Sequence, residues 1–496
     1  MSAIRRILWQ RLDADMTAAL GADWAQRKLV LYGAGGLGLS FLQSFPQLSI
    51  AYAVDSDPSR RGERFHGLPV ETPDALKHED PDRLIVFITS SWHQEIRRTL
   101  ESMGLVLNRQ IFYGSQQAHG RIFFHLPDLA DFEKAIGWLD ARGAESVVLR
   151  WFETLPFERP ADIDLLVRTE HLELLFENPH LSSTPGGIPV EVYWDRPLGQ
   201  EDELLYYPSW LADEILASRR KLPSGAWAPG DAAHLRSLAY HVVFHKAERS
   251  QLPARAGDEP GPLPNKYREK LRALAAKEGI ELDLSLDGLW RFLGREGWLP
   301  PVDLARRHAL ALKSPWLTAR VGPIPGARED VLLFVLRRWL VDRPEIEARV
   351  LAELEEVGLE RLEIVRLSPS EAARSHARIR GGNWIENRES RVGGGPAAFA
   401  IFLDPRPEPP GERDRLLRPF CTNPKLAAKT ELKQRIARTC NGGEVVNFLH
   451  AADDEREAFE CLDCLAPARR AAVARSIERA RRVAPARFAA VPGPIG

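Results

Sequence analysis

The stretch Lys28-Leu29-Val30-Leu31-Tyr32-Gly33-Ala34-Gly35-Gly36-Leu37-Gly38 decides how this chain of 496 residues begins to fold. Its first five residues read as a short buried strand, because an apolar run of this length is bounded by glycine. The glycines turn the chain, and Leu39 to Phe45 reads as a helix. A second apolar run, Ile50 to Val54, ends at Asp55. Each residue type in this order has a physical use. Glycine allows close backbone approach, and a helix N-terminus offers free amides and the positive end of a dipole to an anion.

Strand, glycine-rich turn, helix, strand and acid is the order a dinucleotide-binding unit requires. In that unit Gly33, Gly35 and Gly38 let the backbone meet a pyrophosphate, and Asp55 accepts hydrogen bonds from a ribose. Asp55-Ser56-Asp57-Pro58, Gly62 and Gly67-Leu68-Pro69-Val70 then lead to a strand at Leu84 to Ile88. The set resembles the Rossmann-like domains attached to bacterial sugar-modifying enzymes, such as nucleotide-sugar acyltransferases and sugar methyltransferases. The resemblance implies a Rossmann-like parallel sheet over residues 1–118 that takes a nucleotide-sugar or NAD. No Tyr-x-x-x-Lys or comparable hydride-transfer pair is present beyond it, which disfavours an oxidoreductase.

Further along, Ser146 to Arg150 reads as a strand, and Ala161-Asp162-Ile163-Asp164-Leu165-Leu166-Val167 as another. Strand residues two apart share a face, so Asp162 and Asp164 present their carboxylates together, as a divalent cation requires. Glu191, in Pro189-Val190-Glu191-Val192-Tyr193, adds a third acid on the next strand. Two aspartates and a third carboxylate resemble the nucleotidyltransferase superfamily. That resemblance implies a mixed sheet with a helical extension over residues 119–321, with Asp162 and Asp164 catalytic. Asp162, Asp164 and Glu191 would hold magnesium for chemistry on ATP or another nucleoside triphosphate. The superfamily's Gly-Ser pair is missing; Arg150-Trp151-Phe152-Glu153 stands in its place. Downstream, a helix over Ala232 to Lys246 carries His234, His241 and His245. It reads first as structural, and as the alternative it lends a histidine or Lys246 to a phosphate.

Gly322-Pro323-Ile324-Pro325-Gly326 marks a linker. Beyond it a strand at Val331 to Leu336, a helix over Glu345 to Val357, and strands at Leu362 to Leu367 and Ala397 to Leu403 fit a ferredoxin-like α+β sheet. Thr422-Asn423-Pro424 and Asn447-Phe448-Leu449-His450 then fall in sequence. This order resembles a nucleoside-diphosphate kinase over residues 328–467, leaving 468–496 as a basic helix and tail. The resemblance implies that His450 is the phosphoryl acceptor, an imidazole being nucleophilic when neutral. It further implies that Thr422 and Asn447 contact the nucleotide, that Arg435 holds a phosphate, and that Arg337 (or Arg338) replaces an active-site lysine. Arg415 lies near a further expected arginine but is offset. His450-Ala451-Ala452-Asp453 lacks the family's serine beside the nucleophile, and only Glu457 and Glu460 lie near its expected downstream glutamate. Arg380-Gly381-Gly382-Asn383-Trp384 is an extra element with arginine and glycine amides suited to an anion, or else a loop.

The whole reads as an α/β and α+β multidomain chain. Its 67 basic and 69 acidic residues nearly balance, which disfavours nucleic acid as main partner. No apolar run approaches a membrane span, and no signal-type segment opens the chain, so a cytoplasmic protein is expected. Four cysteines, with only Cys461 and Cys464 at ligand-like spacing, read as reduced thiols rather than a zinc site. Together the segments lead us to expect a nucleotide-dependent transferase of bacterial surface-polysaccharide or nucleotide-sugar metabolism. Its partners would be a nucleotide and a sugar or glycan, and the kinase resemblance implies a homo-oligomer. The alternative is a non-catalytic assembly or regulatory protein that binds a nucleotide or nucleotide-sugar.

Overall fold

The structure is a computed structural model. It describes residues 9, 12–13, 16–113, 121–375, 394–411 and 420–483, with breaks at 36–37, 40, 43–44, 91–92, 156–157, 183–186, 197–204, 260–263, 324–326, 441–445 and 466. It is a mixed α/β structure in two compact units. The first unit is Met1–Leu198 with Glu203–His234, and the second is Gly199–Asp202 with Leu235–Gly496.

In the first unit, β1 (Lys28–Tyr32), β2 (Ile50–Val54), β3 (Arg64–Phe65), β4 (Leu68–Glu71), β5 (Leu84–Ile88) and β6 (Ile111–Tyr113) form one sheet, in the order β3-β4-β2-β1-β5-β6. All neighbours run parallel except the β3–β4 hairpin. β5 is buried along its whole length and β1 from its second residue, as apolar runs without alternation require when both faces are covered. β1 pairs with β2 on one side and β5 on the other. Sheet growth therefore changes direction at β1, the topological point at which open parallel sheets bind ligands beyond their carboxyl ends.

A second sheet of this unit contains β7 (Arg121–Leu126), β8 (Ser146–Val148), β9 (Ile163–Val167) and β10 (Ile188–Trp194), in the order β7-β10-β9-β8. β9 and β10 are parallel, and the outer pairs are antiparallel. Leu31 and Phe87 from the first sheet, with Phe41 from the helical segment after the glycine turn, belong to the same apolar core as Phe124, Leu165 and Val192 from the second. A small ribbon, β11 (Arg220–Lys221) and β12 (Trp227–Ala228), completes the strands here.

Helix α1 (Asp231–His241) leads into the second unit, where α2 (Lys266–Lys277) and α3 (Val302–Leu312) come next. Then come β13 (Val331–Arg337), α4 (Pro344–Glu356), β14 (Glu360–Arg366), β15 (Pro396–Leu403), α5 (Ala428–Cys440), β16 (Leu449–Ala451), α6 (Glu455–Leu465) and α7 (Pro467–Val483). The four strands form an antiparallel sheet in the order β14-β15-β13-β16. Alternation along β13 sends Leu332, Phe334 and Leu336 into a core with Val350 and Leu354 of α4 and Leu432 and Ile436 of α5. Val331, Leu333 and Val335 enter the opposite core, with Ala458, Cys461 and Leu462 of α6 and Val473 and Ile477 of α7. Among the described residues no helix is long and apolar enough to cross a membrane.

Candidate functional site

At the carboxyl end of β1 the three described glycines have different surroundings. A Cβ added to Gly33, where φ is +122°, would lie 2.6 Å from the Thr89 carbonyl oxygen. One added to Gly38 would lie 2.2 Å from the Gly33 carbonyl oxygen. Gly33 thus permits the turn to close on the strand beside it, and Gly38 lets the helix seat against that turn. Gly35 is exposed, and a Cβ there would meet nothing within 4 Å. The Leu39 amide donates to the Gly35 carbonyl at 3.0 Å, a helical spacing that links Gly35 to the helical residues Gly38 and Leu39. Gly36 and Leu37 lie outside the described residues.

Asp55 stands beside this turn at the end of β2. Its Oδ2 accepts from the Ala34 amide at 3.3 Å and from Arg60 Nη1 at 2.9 Å. Arg60 Nη1 also donates to the Ala34 carbonyl at 2.7 Å, and Asp55 Oδ1 accepts from the Asp57 amide. Asp55 therefore holds the glycine turn in shape while one-fifth of its side chain stays exposed. Arg60 does not stand out in the sequence, since nothing local marks its partner. On the other flank, Thr89 Oγ1 donates to the Gly33 carbonyl at 3.1 Å, fixing the turn to the end of β5.

The acids of the second sheet have a different environment. Asp162 is exposed and precedes β9, whereas Asp164 is buried within it. Glu191 on β10 is the direct register partner of Asp164. Arg150, just past β8, places Nη2 2.5 Å from Asp164 Oδ1 with its side chain 3% exposed. Tyr193 Oη donates to Glu191 Oε2 at 2.6 Å and lies 3.1 Å from Asp164 Oδ1. The Tyr206 ring centre lies 3.9 Å from that of Tyr193, the two rings tilted by 35°, and the Arg150 guanidinium lies 5.4 Å from the Tyr206 ring centre. Burial works against the Arg150 charge, but the Asp164 carboxylate overrides it and holds the guanidinium fully protonated. Burial pushes the Tyr193 hydroxyl well above its ordinary range, so it stays a donor.

Magnesium requires free carboxylate oxygens at about 2.1 Å in octahedral array. Asp164 is neutralised by a resident guanidinium and Glu191 is engaged by a tyrosine. Among the described residues no three His, Cys, Asp or Glu side chains are grouped to hold an ion. The donor set does not fit a magnesium site, and Arg150 supplies the positive charge there instead.

In the second unit, His450 is the middle residue of β16 opposite Val335, with Nε2 3.9 Å from Glu457 Oε1. It lies on the sheet face covered by α6, its side chain 14% exposed. Thr422 Oγ1 donates to Glu329 Oε2, and its amide donates to the Asp453 carbonyl. Asn423 donates to Asp404 Oδ2, whose partner oxygen accepts from Lys425 at 2.6 Å. The Thr-Asn-Pro turn therefore ties the segment before β13 to the end of β15. Asn447 accepts from Lys433 at the other end of the sheet, near Arg337, whose amide donates to Phe448. A seven-residue strand separates these two ends by roughly 20 Å. Arg435 is on the surface of α5, paired with Glu353 of α4 at 3.2 Å. Thr422 and Asn447 are thus not brought to one side of His450. Arg380–Trp384 and Arg415 lie outside the described residues. Cys461 is buried in α6, and Cys421, Cys461 and Cys464 are in no disulfide.

Beneath α6 lies a buried charge network that the sequence does not disclose. Arg306 of α3 pairs with Asp454, lies 3.7 Å from Glu457, and donates to the Val321 carbonyl at 3.0 Å. Glu460 accepts from the Val302 amide at the N-terminus of α3. Burial above all, with Asp303 and Glu457 adding repulsion, raises the Glu460 carboxyl to about 8; Val302 and Arg306 oppose this. The folded value exceeds the unfolded one, so this group's stabilisation is full below about pH 4.5 and is lost as pH rises through 8. Glu460→Gln keeps an acceptor for Val302 and removes the titration. We expect its urea-unfolding free energy to exceed that of the wild type by on the order of 3 kcal/mol above pH 8 and to converge with it near pH 4.5.

The histidine helix also departs from a plain α-helix. α1 ends at His241 and continues as a π-helical turn, Val242–Lys246, a rare form that recurs at functional sites. Ala247 then adopts φ 45° and ψ −124°, a conformation that ordinarily calls for glycine. No protein-family model matches the chain, and no curated protein matches it either.

Proposed function

We propose that this chain is a nucleotide- or nucleotide-sugar-binding protein, built from a Rossmann-like sheet, a nucleotidyltransferase-like sheet and a ferredoxin-like, nucleoside-diphosphate-kinase-like sheet. Only the first keeps its ligand position open. One observation carries this reading: backbone fills the space at Gly33 and Gly38, whereas the space at Gly35 is empty. In a turn shaped only by packing, the exposed position has no need of glycine. A phosphate seated on the helix N-terminus gives it one, because the ligand then occupies the volume a side chain would take. Asp55 and Arg60 stand beside the turn, able to meet a sugar hydroxyl and an anionic oxygen respectively.

The resident Arg150 favours binding over transfer at the second sheet, and the enclosure of His450 under α6 favours it at the third. The second reading, a nucleotidyl or phosphoryl transferase, has in its favour the register pairing of Asp164 with Glu191 and the exposure of Asp162. It requires Arg150 to release Asp164. Incubation with α- and γ-labelled ATP and GTP plus magnesium distinguishes the two. Binding alone leaves protein and small molecules unlabelled by transfer. Transfer abolished by Asp164→Asn, or an acid-labile label on the protein abolished by His450→Ala, would overturn the binding reading.

A further inference from the structure

The helix α7 carries a charge that the chain as a whole does not. It holds six arginines and one acid, Glu478, whereas the chain balances 67 basic against 69 acidic residues. Its arginines are sorted by face. Val473 and Ile477 enter the core beneath the helix, and Ala480 packs against the same core. Arg470 and Arg481 flank that buried side and are paired. Arg470 meets Asp463 at 2.6 Å, and Arg481 meets Asp330, Glu455 and Glu478.

Arg475, Arg479 and Arg482 lie on the opposite side. At the helical repeat they fall within roughly 60° of one another, in a row about 10 Å long. All three are exposed, and among the described residues none has an ion pair or a side-chain hydrogen bond. Glu478, the one acid of the helix, is already held by Arg481 at 3.2 Å. Like charges one turn apart weaken a helix, so the fold itself gains nothing from this row. Towards the N-terminus the same face continues as Ala468, Ala471 and Ala472, all exposed.

The composition of this face narrows its partner. A membrane surface is held by roughly four to eight basic residues or by an inserted apolar face, and a protein interface by buried aromatic or aliphatic anchors. Arginine and alanine alone supply neither. A single-stranded nucleic acid needs aromatic side chains on which its bases stack. A duplex keeps its bases stacked inside and presents phosphates, which guanidinium groups meet as planar forks. The row has donors and no acceptor for a ribose 2′-hydroxyl, which favours DNA over RNA. We propose that Arg475, Arg479 and Arg482 dock the phosphate backbone of duplex DNA without reading its sequence. The balanced charge of the whole chain makes this a secondary, salt-sensitive contact. It shares no residue with the glycine turn and does not depend on it.

Fluorescence anisotropy of a labelled mixed-sequence DNA duplex, titrated with the full chain over a series of salt concentrations, tests the row. We expect log K to fall against log salt with a slope of about −2.7, the value for three phosphate contacts. Arg475→Gln, Arg479→Gln and Arg482→Gln should each make that slope shallower by about 0.9, and together they should weaken binding by about tenfold or more. Arg98→Gln with Arg109→Gln and Arg142→Gln removes the same charge from exposed positions of the first unit and should leave binding nearly unchanged. The melting midpoints of both triple variants should match that of the wild type, since every substituted side chain is exposed. Duplex RNA and phosphatidylserine vesicles serve as competitors. No DNA binding at low salt, equal loss in the two triple variants, or tighter binding of either competitor than of DNA would overturn the proposal.

Discussion

Replacing Arg150 by methionine should destabilise the protein by about 3–5 kcal/mol in urea unfolding, more than most single changes. The cost arises from what remains. Asp164 is buried in a β-strand, and without the guanidinium 2.5 Å away its charge has no partner of opposite sign there. A double variant, Arg150→Met with Asp164→Asn, should recover most of the loss, since the stranded charge is then gone. The coupling read from this cycle should be several-fold larger than that for an exposed pair such as Arg109 with Asp82. Equal losses in the single and double variants would show that Arg150 acts through packing alone. This result bears on function as well as stability. On the proposed reading, the cation at this aspartate is the resident guanidinium.

The second large effect belongs to the glycine turn. Gly38→Ala should cost about 2–4 kcal/mol, because the added methyl meets backbone at 2.2 Å and backbone cannot swing aside as a side chain can. Gly33→Ala should cost a similar amount, from a clash at 2.6 Å and a φ of +122° together. Gly35→Ala should cost less than about 1 kcal/mol, the ordinary penalty for losing glycine at a helix start. Three glycines within six residues then fall into two classes, and urea midpoints read them directly. The two costly positions build the turn. On the proposed reading, the third is glycine because a ligand takes the space beside it.

Much of this architecture was legible in the sequence. The apolar runs Lys28–Tyr32, Ile50–Val54 and Leu84–Ile88 are strands at those bounds, because short apolar stretches that stop at glycine or a polar residue leave little choice of extent. The helix expected over Glu345 to Val357 is Pro344–Glu356, and the strand expected at Ala397 to Leu403 is Pro396–Leu403. Two features did not stand out in the sequence: β7, which is six residues long, and the short β3–β4 hairpin. A strand of two to four residues forms by pairing, and pairing is not written locally.

The sites were less legible, for a reason visible at Arg150 and at the Thr-Asn-Pro turn. Arg150 stands out in the sequence only as something in place of Gly-Ser. That it neutralises Asp164 depends on β8 lying beside β9, a contact between residues fourteen apart in sequence. Thr422 and Asn423 have residue types suited to a nucleotide, yet their partners here are Glu329 and Asp404. Hydrogen-bonding side chains declare a capacity, and the fold decides whether a ligand or a neighbouring strand uses it. The glycine turn is the exception, because its shape depends on the backbone of glycines adjacent in sequence.

Nucleotide binding by the Gly35→Val variant is therefore the measurement that matters most. Purified wild type and variant are titrated calorimetrically with ADP, UDP-glucose and NAD, and their urea midpoints are recorded alongside. We predict that at least one of these ligands binds the wild type and binds the variant at least tenfold more weakly, with the two midpoints nearly equal. Equal affinity in both proteins, or binding of none of the three by the wild type, would contradict the account.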